Sequence, residues 1–398
     1  MKRFYLYIII LYSTLLLAGC HDSVSPPAEP EPQPRAEAER TVIVYIAADN
    51  SLSRSVTLDT TEMVRGKSQI PEDVNFFVYI DDRKMPAIYE LSAKSGMQLW
   101  KQYKEEQCST DSLTMLSVLR DIEHMFPARH YGLSMWSHAT GWAPRRNTFG
   151  KDENRGINAT GMPEEMEIPV LRDVLAHLPK FDYIFFDACF MQCIEVAYEL
   201  RGVTDWLIGS PAEIPGPGAP YDKIIGALCR SDVEGIVRGY VTAYPSTYSG
   251  FYYSGVLLSC IDCSKLEALA EATGRLLTPF FMERSEPSTS GFQPYSTTID
   301  KYTYQFDMRT TMRRLLAEKE EEYDAWMEAF DQAVPLRTLS STNTWFAVTS
   351  TVSRVYDPEC YGGVSMFVPL SSYDVYGLND KFRETSWYAA TGWQATGW

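Results

Sequence analysis

Two polar residues follow apolar segments of strand length, in positions where a sheet would bring them together. His138 follows residues 131–137, and Cys189 comes shortly after residues 181–186. Both segments are rich in aromatic and aliphatic residues, which is typical of buried parallel strands. Parallel strands have their carboxyl ends at one edge of a sheet, so these residues can meet although 51 positions separate them.

An imidazole beside a thiol can accept its proton, which makes the pair suited to nucleophilic catalysis. The alternative is a buried cysteine and a histidine with structural contacts only, and spacing alone does not separate the two. A helix is predicted to begin near Met191, and its N-terminal end would favour the thiolate of Cys189. Cys193 would lie on the same helical face and is interpreted as a core residue.

The elements that must position these residues alternate between strands and helices. Strands are predicted over residues 41–48, 74–80, 131–137, 182–186 and 205–208, and helices over 113–122 and 170–178. This alternation predicts an α/β fold whose sheet is covered on both faces. Further strands are predicted over 254–259, 345–352 and 363–370, and further helices over 265–277 and 308–334.

The two site segments resemble the active-site blocks of the clostripain family of cysteine peptidases. They read Trp-Ser-His-Ala-Thr-Gly-Trp at 136–142 and Asp-Ala-Cys-Phe-Met at 187–191. Residues 210–221 are similar to the next block of that family, and residues 45–50 resemble its opening strand end. The resemblance implies a caspase-like α/β/α sandwich with a mostly parallel central sheet, here with additional C-terminal strands and helices, and a Cys–His dyad that cleaves after basic residues.

The resemblance assigns Cys189 as the nucleophile and His138 as the general acid and base. The backbone N–H groups of Cys189 and of the residue after the histidine would form the oxyanion hole. That residue is usually Gly in the family, whereas this chain has Ala139. Alanine keeps the N–H, but its Cβ would add strain if the backbone required a positive φ.

Two acidic residues are predicted to bind the substrate. Asp187 matches the family's acidic residue that lines the S1 pocket, where a carboxylate pairs with Arg or Lys. The alternative for Asp187 is a cap on the helix that follows. Glu213 is expected to add to the pocket or its rim, or else the turn at 215–218 only shapes the wall.

Relatives in this family mature by self-cleavage, and the segment after Trp142 offers basic sites. This polar segment contains Arg145, Arg146 and Lys151. Exposed loops of this kind are commonly nicked, so we expect self-cleavage at one of these residues. The alternative is a solvated basic loop.

No cofactor is expected from the sequence. The Cys-x-x-Cys at 260–263 has no second pair, which argues against zinc. Some relatives use calcium, and calcium stays open as an alternative, but no Asp-rich loop here has the spacing of a calcium cage.

The N-terminus resembles a bacterial lipoprotein signal. An apolar segment follows Lys2 and Arg3, is too short to span a bilayer comfortably, and ends in Leu-Ala-Gly-Cys at Cys20. Cys20 is therefore expected to be the lipid-modified mature N-terminus, the alternative being an ordinary signal peptide. The predicted parts are a signal peptide at 1–19, a Pro/Glu-rich tether at 20–40 and a peptidase domain at 41–398.

Within that domain, a catalytic core at about 41–225 precedes a C-terminal extension at about 226–398. The lipid anchor would hold the protein in the bacterial cell envelope, at the outer membrane or the cell surface. The chain has 36 Lys+Arg and 52 Asp+Glu in 398 residues, a net charge of −16, which argues against nucleic-acid binding and favours cationic substrates. The expected partners are the membrane and proteins or peptides with a basic P1 residue.

A second function remains open from the sequence. An inactive member of the same fold would be a surface lipoprotein that binds peptide or glycan through the cleft. Ala139 favours this alternative. The joint presence of His138, Cys189 and Asp187 favours the enzyme.

Overall fold

The computed structural model describes residues 33–142, 148–157, 163–247, 255–295, 304–341, 343–347 and 351–398. The predicted signal peptide, Cys20, Arg145 and Arg146 lie outside these residues. Pro34–Trp398 constitutes one structural unit.

The strands, numbered along the chain, are β1 (Ala38–Ala47), β2 (Val74–Asp81), β3 (Ala87–Ser92), β4 (Gly96–Gln102), β5 (Ala128–Trp136), β6 (Ala139–Gly141), β7 (Thr148–Ile157), β8 (Pro163–Met166), β9 (Phe181–Asp187), β10 (Thr204–Gly209), β11 (Leu257–Asp262), β12 (Phe306–Asp307), β13 (Leu336–Leu339), β14 (Thr344–Ala347), β15 (Thr351–Arg354) and β16 (Ser365–Met366). The helices are α1 (Val56–Gly66), α2 (Ser112–Met125), α3 (Ile168–Leu175), α4 (Ile194–Leu200), α5 (Tyr221–Arg230), α6 (Val233–Thr247), α7 (Leu266–Phe281), α8 (Met308–Leu315), α9 (Glu320–Ala333), α10 (Leu378–Arg383) and α11 (Ser386–Ala390). None of these helices is long and apolar enough to cross a bilayer.

A nine-stranded sheet forms the middle layer, in the order β13-β11-β10-β9-β5-β1-β2-β3-β4. The five strands from β10 to β2 in this order are parallel to one another. The outer strands β3, β4, β11 and β13 pair in antiparallel fashion with their neighbours. The predicted α/β architecture with a mostly parallel sheet is confirmed.

Alternation along β1 shows how the two faces of the sheet are covered. Val42, Val44 and Ile46 pack in one buried cluster, which also contains residues of α1, α5 and α6. Ile43 and Tyr45 pack in a second cluster, with residues of α2, α3 and α4. Burial on both faces explains why the central strands read as continuous apolar runs.

The C-terminal part of the chain completes the same core. It supplies β11 and β13 to the central sheet. Its helices α7, α9, α10 and α11 place apolar residues in the cluster that contains Ile43 and Tyr45. Within this cluster the ring of Trp142 packs edge-on against Phe367, so the chain just after His138 depends on packing from the C-terminal part.

Some elements differ from the sequence prediction. β1 begins at Ala38, three residues before the boundary predicted at residue 41, and Arg35 forms an ion pair with Glu90 at 2.6 Å. The helix predicted over 308–334 is divided into α8 and α9. Leu316 is buried between them, and the Lys319 N–H donates to its carbonyl at 2.9 Å. No Gly or Pro marks this break, so the sequence pattern predicted one continuous helix.

The C-terminal strands are also shorter than predicted. Residues 345–352 were expected to form one strand, but β14 and β15 pair as an antiparallel ladder there. Of residues 363–370, only Ser365 and Met366 lie in a strand, which pairs with β12. The pairing of β16 with β12 joins segments distant in sequence, which alternation within one segment does not reveal.

The close packing of β5 against β9 predicts that Gly132→Ala destabilises the protein. A Cβ on Gly132 would lie 2.5 Å from ring atoms of Tyr183, and that ring is held by a hydrogen bond from its hydroxyl to the Leu228 carbonyl at 3.0 Å. We expect a loss of about 1–3 kcal/mol in the free energy of unfolding, measured by urea denaturation. Gly202→Ala is the control, because no atom lies within 4 Å of that position. Equal midpoints for the two variants would contradict this packing.

Candidate active site

The register between β5 and β9 places the two predicted catalytic residues at one sheet edge. Trp136, the last residue of β5, is the partner of Asp187, the last residue of β9. His138 and Cys189 each lie two residues beyond this pair. Adjacent strands are about 4.8 Å apart, so both residues leave the sheet at the same level from neighbouring strands.

Cys189 lies in a tight turn that the sequence did not reveal. The next residue, Phe190, has φ of 61°, a left-handed conformation that is costly for a bulky residue and often occurs at functional sites. The Phe190 N–H donates to the Ala212 carbonyl at 3.1 Å, and the Gln192 N–H donates to the Ser210 carbonyl at 3.1 Å. These two hydrogen bonds hold the turn against the chain that follows β10.

The helix after Cys189 begins later than predicted. α4 begins at Ile194 instead of near Met191, and Cys193 is its N-cap residue. Phe190 is in the left-handed conformation and Cys193 in an extended one, so the helix can begin only after Cys193. Cys189 therefore precedes the helix and shares no helical face with Cys193, although Cys193 is buried in the core as expected.

The Cys189 thiol is half-buried and contacts the backbone of Ile214. The Ile214 N–H donates to Sγ at 3.4 Å, and Sγ lies 3.8 Å from the Ile214 carbonyl oxygen. Burial raises the pKa of the Cys189 thiol to about 12, and the carboxylates of Glu213 and Asp187 oppose ionisation further. The expectation that a helix end would favour the thiolate is wrong, because α4 begins only at Ile194 and the raised pKa keeps the Cys189 thiol protonated at neutral pH.

His138 contacts Ser51, a residue whose role no sequence motif predicts. Its Nε2 atom lies 2.9 Å from the hydroxyl oxygen of Ser51, in the turn after β1. The His138 carbonyl accepts a hydrogen bond from the Gly150 N–H at 2.9 Å. The preceding residue, Ser137, donates its hydroxyl to the Ala47 carbonyl at 2.6 Å. His138 is therefore fixed through its ring and its backbone.

Ala139 occupies a position without backbone strain. It lies in the short strand β6 and is 8% exposed. Among the described residues, the non-glycine residues with positive φ are Phe190, Ser231, Arg284 and Asn343, so Ala139 is not one of them. The conformation that would penalise a Cβ is therefore absent at Ala139, so an alanine at this position adds no backbone strain.

Asp187, the last residue of β9, bonds to the loop between β10 and α5 that contains Ile214. Asp187 is 2% exposed, and its carboxylate accepts a hydrogen bond from the Ala219 N–H at 2.8 Å. A Cβ on Gly218, whose φ is +67°, would lie 2.8 Å from the same carboxylate oxygen. Asp187 therefore holds the chain before α5, and the alternative of a cap on the following helix α4 is wrong.

Further carboxyl groups surround Asp187. Burial raises its pKa to about 7, and the negative charge of Glu62 acts in the same direction, whereas the Ala219 N–H and the hydroxyls of Tyr221 and Tyr240 lower it. Asp59, also on α1, is buried, and its pKa is raised by burial, by Asp187 and by Glu62. This buried group of acids was not predicted, because α1 showed no signal that links it to the end of β9.

The remaining predicted residues fall into three groups. Glu213 is half-buried and acts electrostatically on the Cys189 thiol. Lys151, expected in an exposed loop, lies in strand β7, because the buried Phe149 pairs with both Ala139 and Met166 and draws this segment into a three-stranded sheet. Arg145, Arg146 and Cys20 lie outside the described residues.

None of the seven cysteines of the described ranges takes part in a disulfide. In the same ranges, no group of three or more His, Cys, Asp or Glu side chains is arranged to hold a metal ion.

Comparison with known proteins gives a consistent result. The sequence model of the clostripain family matches residues 44–397. Clostripain from Hathewaya histolytica is 25% identical over 220 residues, which cover 47% of this chain and 42% of that protein. The chain thus matches less than half the length of this curated relative.

Two solved structures resemble this one over most of the chain. A secreted C11 cysteine protease from Bacteroides thetaiotaomicron, in complex with an irreversible peptide inhibitor, gives a TM-score of 0.78 at 30% identity and covers 90% of this chain and 99% of its own. An inactive zymogen C11 protease from Parabacteroides distasonis gives a TM-score of 0.75 at 28% identity, with 90% and 99% covered. The predicted caspase-like fold and the resemblance to the clostripain family are confirmed.

The raised pKa predicts how Cys189 reacts with iodoacetamide in the resting protein. Because the thiolate is the nucleophile and the pKa is about 12, we expect the alkylation rate to rise about tenfold per pH unit up to pH ~10. Mass spectrometry of the Cys189 peptide separates it from the other thiols. Glu213→Gln is expected to speed alkylation at pH ~8, because it removes one opposing charge, whereas the exposed Glu328→Gln is the control. A plateau below pH ~8 would contradict a protonated resting thiol.

Proposed function

Since the chain belongs to the clostripain family of cysteine peptidases, we propose that it is a cysteine endopeptidase that cleaves peptide bonds after Arg or Lys through Cys189 and His138. The observation that carries this proposal is the register of β5 with β9, which brings both residues to one sheet edge. The strained turn at Phe190 adds support, because it directs the chain around the nucleophile.

The proposed reaction begins with transfer of the Cys189 thiol proton to the imidazole of His138. The sulfur attacks the scissile carbonyl carbon, and the N–H groups of Cys189 and Ala139 stabilise the oxyanion. His138 then gives its proton to the leaving amine, which leaves a thioester on Cys189. A water molecule, deprotonated by His138, hydrolyses the thioester and restores the thiol. Each step uses groups of the chain and water, so the proposal includes no cofactor.

A basic P1 side chain would supply the charge that this site lacks. Asp187 is buried next to Glu62, and the pKa values of Asp187 and Asp59 are both raised. A buried group of acids is stabilised by a cation of opposite charge. In the proposal Asp187 therefore selects Arg or Lys at P1, and Glu213 lies at the rim beside the thiol.

The proposal includes a tethered, self-processing enzyme in the cell envelope. Cys20 would carry the lipid, and residues up to about 40 would hold the catalytic unit away from the membrane. Self-cleavage at Arg145, Arg146 or Lys151 would mature the protein. Its substrates would be external or periplasmic proteins with exposed basic residues.

Release of a fluorophore from peptides that differ only at P1 tests this proposal. We expect the full chain to turn over Arg-P1 and Lys-P1 peptides but not Asp-P1 peptides. Cys189→Ala is expected to lose at least about a thousandfold in kcat/KM, because the nucleophile is gone. Cys360→Ala, at a half-buried free thiol elsewhere, is the matched control and should keep full activity.

A gel of the same preparations tests maturation, since Cys189→Ala should stay intact while the parent is cut. No turnover by the parent, even after limited trypsin treatment of residues 143–155, would support an inactive surface lipoprotein that binds peptide or glycan. Turnover by Cys189→Ala would reject the dyad.

Asp187→Asn tests the proposed P1 contact. We expect kcat/KM for Arg-P1 peptides to fall by about a hundredfold, because a buried charge-assisted pair is lost. In the parent, KM for Arg-P1 should rise as the pH falls below about 7, where Asp187 becomes protonated. The variant should lack this dependence.

Stability measurements separate this effect from misfolding. Burial disfavours the ionised form of Asp187 and raises its pKa, so its charge costs stability above the ordinary carboxyl pKa, and fully so above pH ~7. The Asn variant should therefore unfold in urea at a midpoint no lower than the parent's at pH ~8. An unchanged preference for Arg in a folded variant would reject the P1 role.

A further inference from the structure

We infer that Ser51 is a positioning residue for His138, which fixes the ring through Nε2 and assigns proton transfer to Nδ1. The inference rests on the proposed function and adds a third residue to it. The contact that carries it is the 2.9 Å distance between the Ser51 hydroxyl oxygen and His138 Nε2. Ser51 lies 87 residues before His138 and comes from a different strand end.

The backbone around Ser51 is held in place by its neighbour. Asn50 is buried, and its side-chain oxygen accepts the Leu52 N–H at 2.9 Å. Its side-chain nitrogen donates to the Ala47 carbonyl at 3.1 Å. Asn50 therefore caps the short turn of Ser51–Arg54 and fixes the direction in which Ser51 leaves β1.

The same Ala47 carbonyl connects this turn to the histidine. It also accepts the hydroxyl of Ser137, the residue just before His138, at 2.6 Å. Asn50 and Ser137 thus share the Ala47 carbonyl. The residues that follow them, Ser51 and His138, contact each other directly. Because Asn50 and Ser137 are both bonded to the Ala47 oxygen, Ser51 and His138 can move apart only a short distance.

The chemistry of imidazole explains why this contact assigns the roles of the two nitrogens. If the Ser51 oxygen accepts, Nε2 carries the hydrogen, and in the neutral ring Nδ1 then holds the lone pair. Nδ1 would take the proton from Cys189 Sγ and later give it to the leaving amine nitrogen. The Nε2 hydrogen stays on the ring throughout, and an imidazolium donates more strongly, so the contact strengthens when His138 is charged.

The Ser51 hydroxyl is neutral, which suits a site that already contains the carboxylates of Asp187 and Glu213. Asp187 and Glu213 both oppose thiolate formation at Cys189. A carboxylate in place of Ser51 would add a third negative charge at this edge. A hydroxyl orients the ring without that cost.

Three variants of the full chain test the inference by kinetics. Ser51→Ala is expected to lower kcat for Arg-P1 peptides between about threefold and about tenfold, with KM within about twofold of the parent, because it misorients a base that acts only in the chemical steps. Ser51→Thr keeps the hydroxyl and should restore kcat to within about twofold. Ser53→Ala, in the same turn, is the control. A Ser51→Ala kcat equal to the parent's, or an equal loss in Ser51→Thr, would overturn the inference.

A measurement that does not need activity separates this inference from the proposed function. Proteins labelled with ¹⁵N-histidine report by NMR which ring nitrogen carries hydrogen, and His138→Gln identifies the signal. We expect the Nε2–H tautomer in the parent and a mixture of tautomers in Ser51→Ala. An Nδ1–H tautomer in the parent, or the same tautomer ratio in both proteins, would reject the role of Ser51. This holds even if no turnover is found, a result that would reject only the proposed function.

Discussion

The parallel pairing of β5 with β9 is the constraint on which the site depends. Phe185 packs on one face of the sheet and Phe186 on the other. A slip of one residue would exchange these faces and expose the wrong set of side chains. Burial of the core therefore fixes the register, and the register fixes where the histidine and the cysteine leave the sheet. Hydrophobic packing within the sheet thus determines where the two residues of the proposed dyad lie.

The chain after β10 provides the second support. Its Ser210 and Ala212 carbonyls accept hydrogen bonds from the turn that contains Cys189. Its Ile214 N–H contacts the Cys189 thiol, and its Ala219 N–H donates to Asp187. One loop therefore connects the proposed nucleophile with the acidic residue proposed to select the substrate. Burial raises the pKa values of both groups, whereas the N–H groups that this loop donates, from Ala219 to Asp187 and from Ile214 to Cys189, lower them.

The sequence predicts the parts of this arrangement whose signals are local. The five central parallel strands were recognisable because burial on both faces leaves continuous apolar runs, and His138 and Cys189 follow two of those runs directly. Ser51 and Ile214 could not be predicted in the same way. Their contacts depend on loop paths set by bonds to Ala47 and from Phe190, which join segments distant in the chain. The break after α8 was missed for a similar reason, since buried packing and not a helix-breaking residue causes it.

The charges around the thiol link specificity to catalysis under the proposed function. The pKa of Cys189 is raised partly by the negative charge of Asp187. A substrate with Arg or Lys at P1 would place a positive charge beside Asp187 and cancel this effect where the thiolate must form. A neutral P1 residue would leave Asp187 either charged, opposing the thiolate, or protonated and unable to pair. The correct substrate would therefore assist ionisation of the nucleophile that attacks it, so part of its binding energy is expressed in the chemical step.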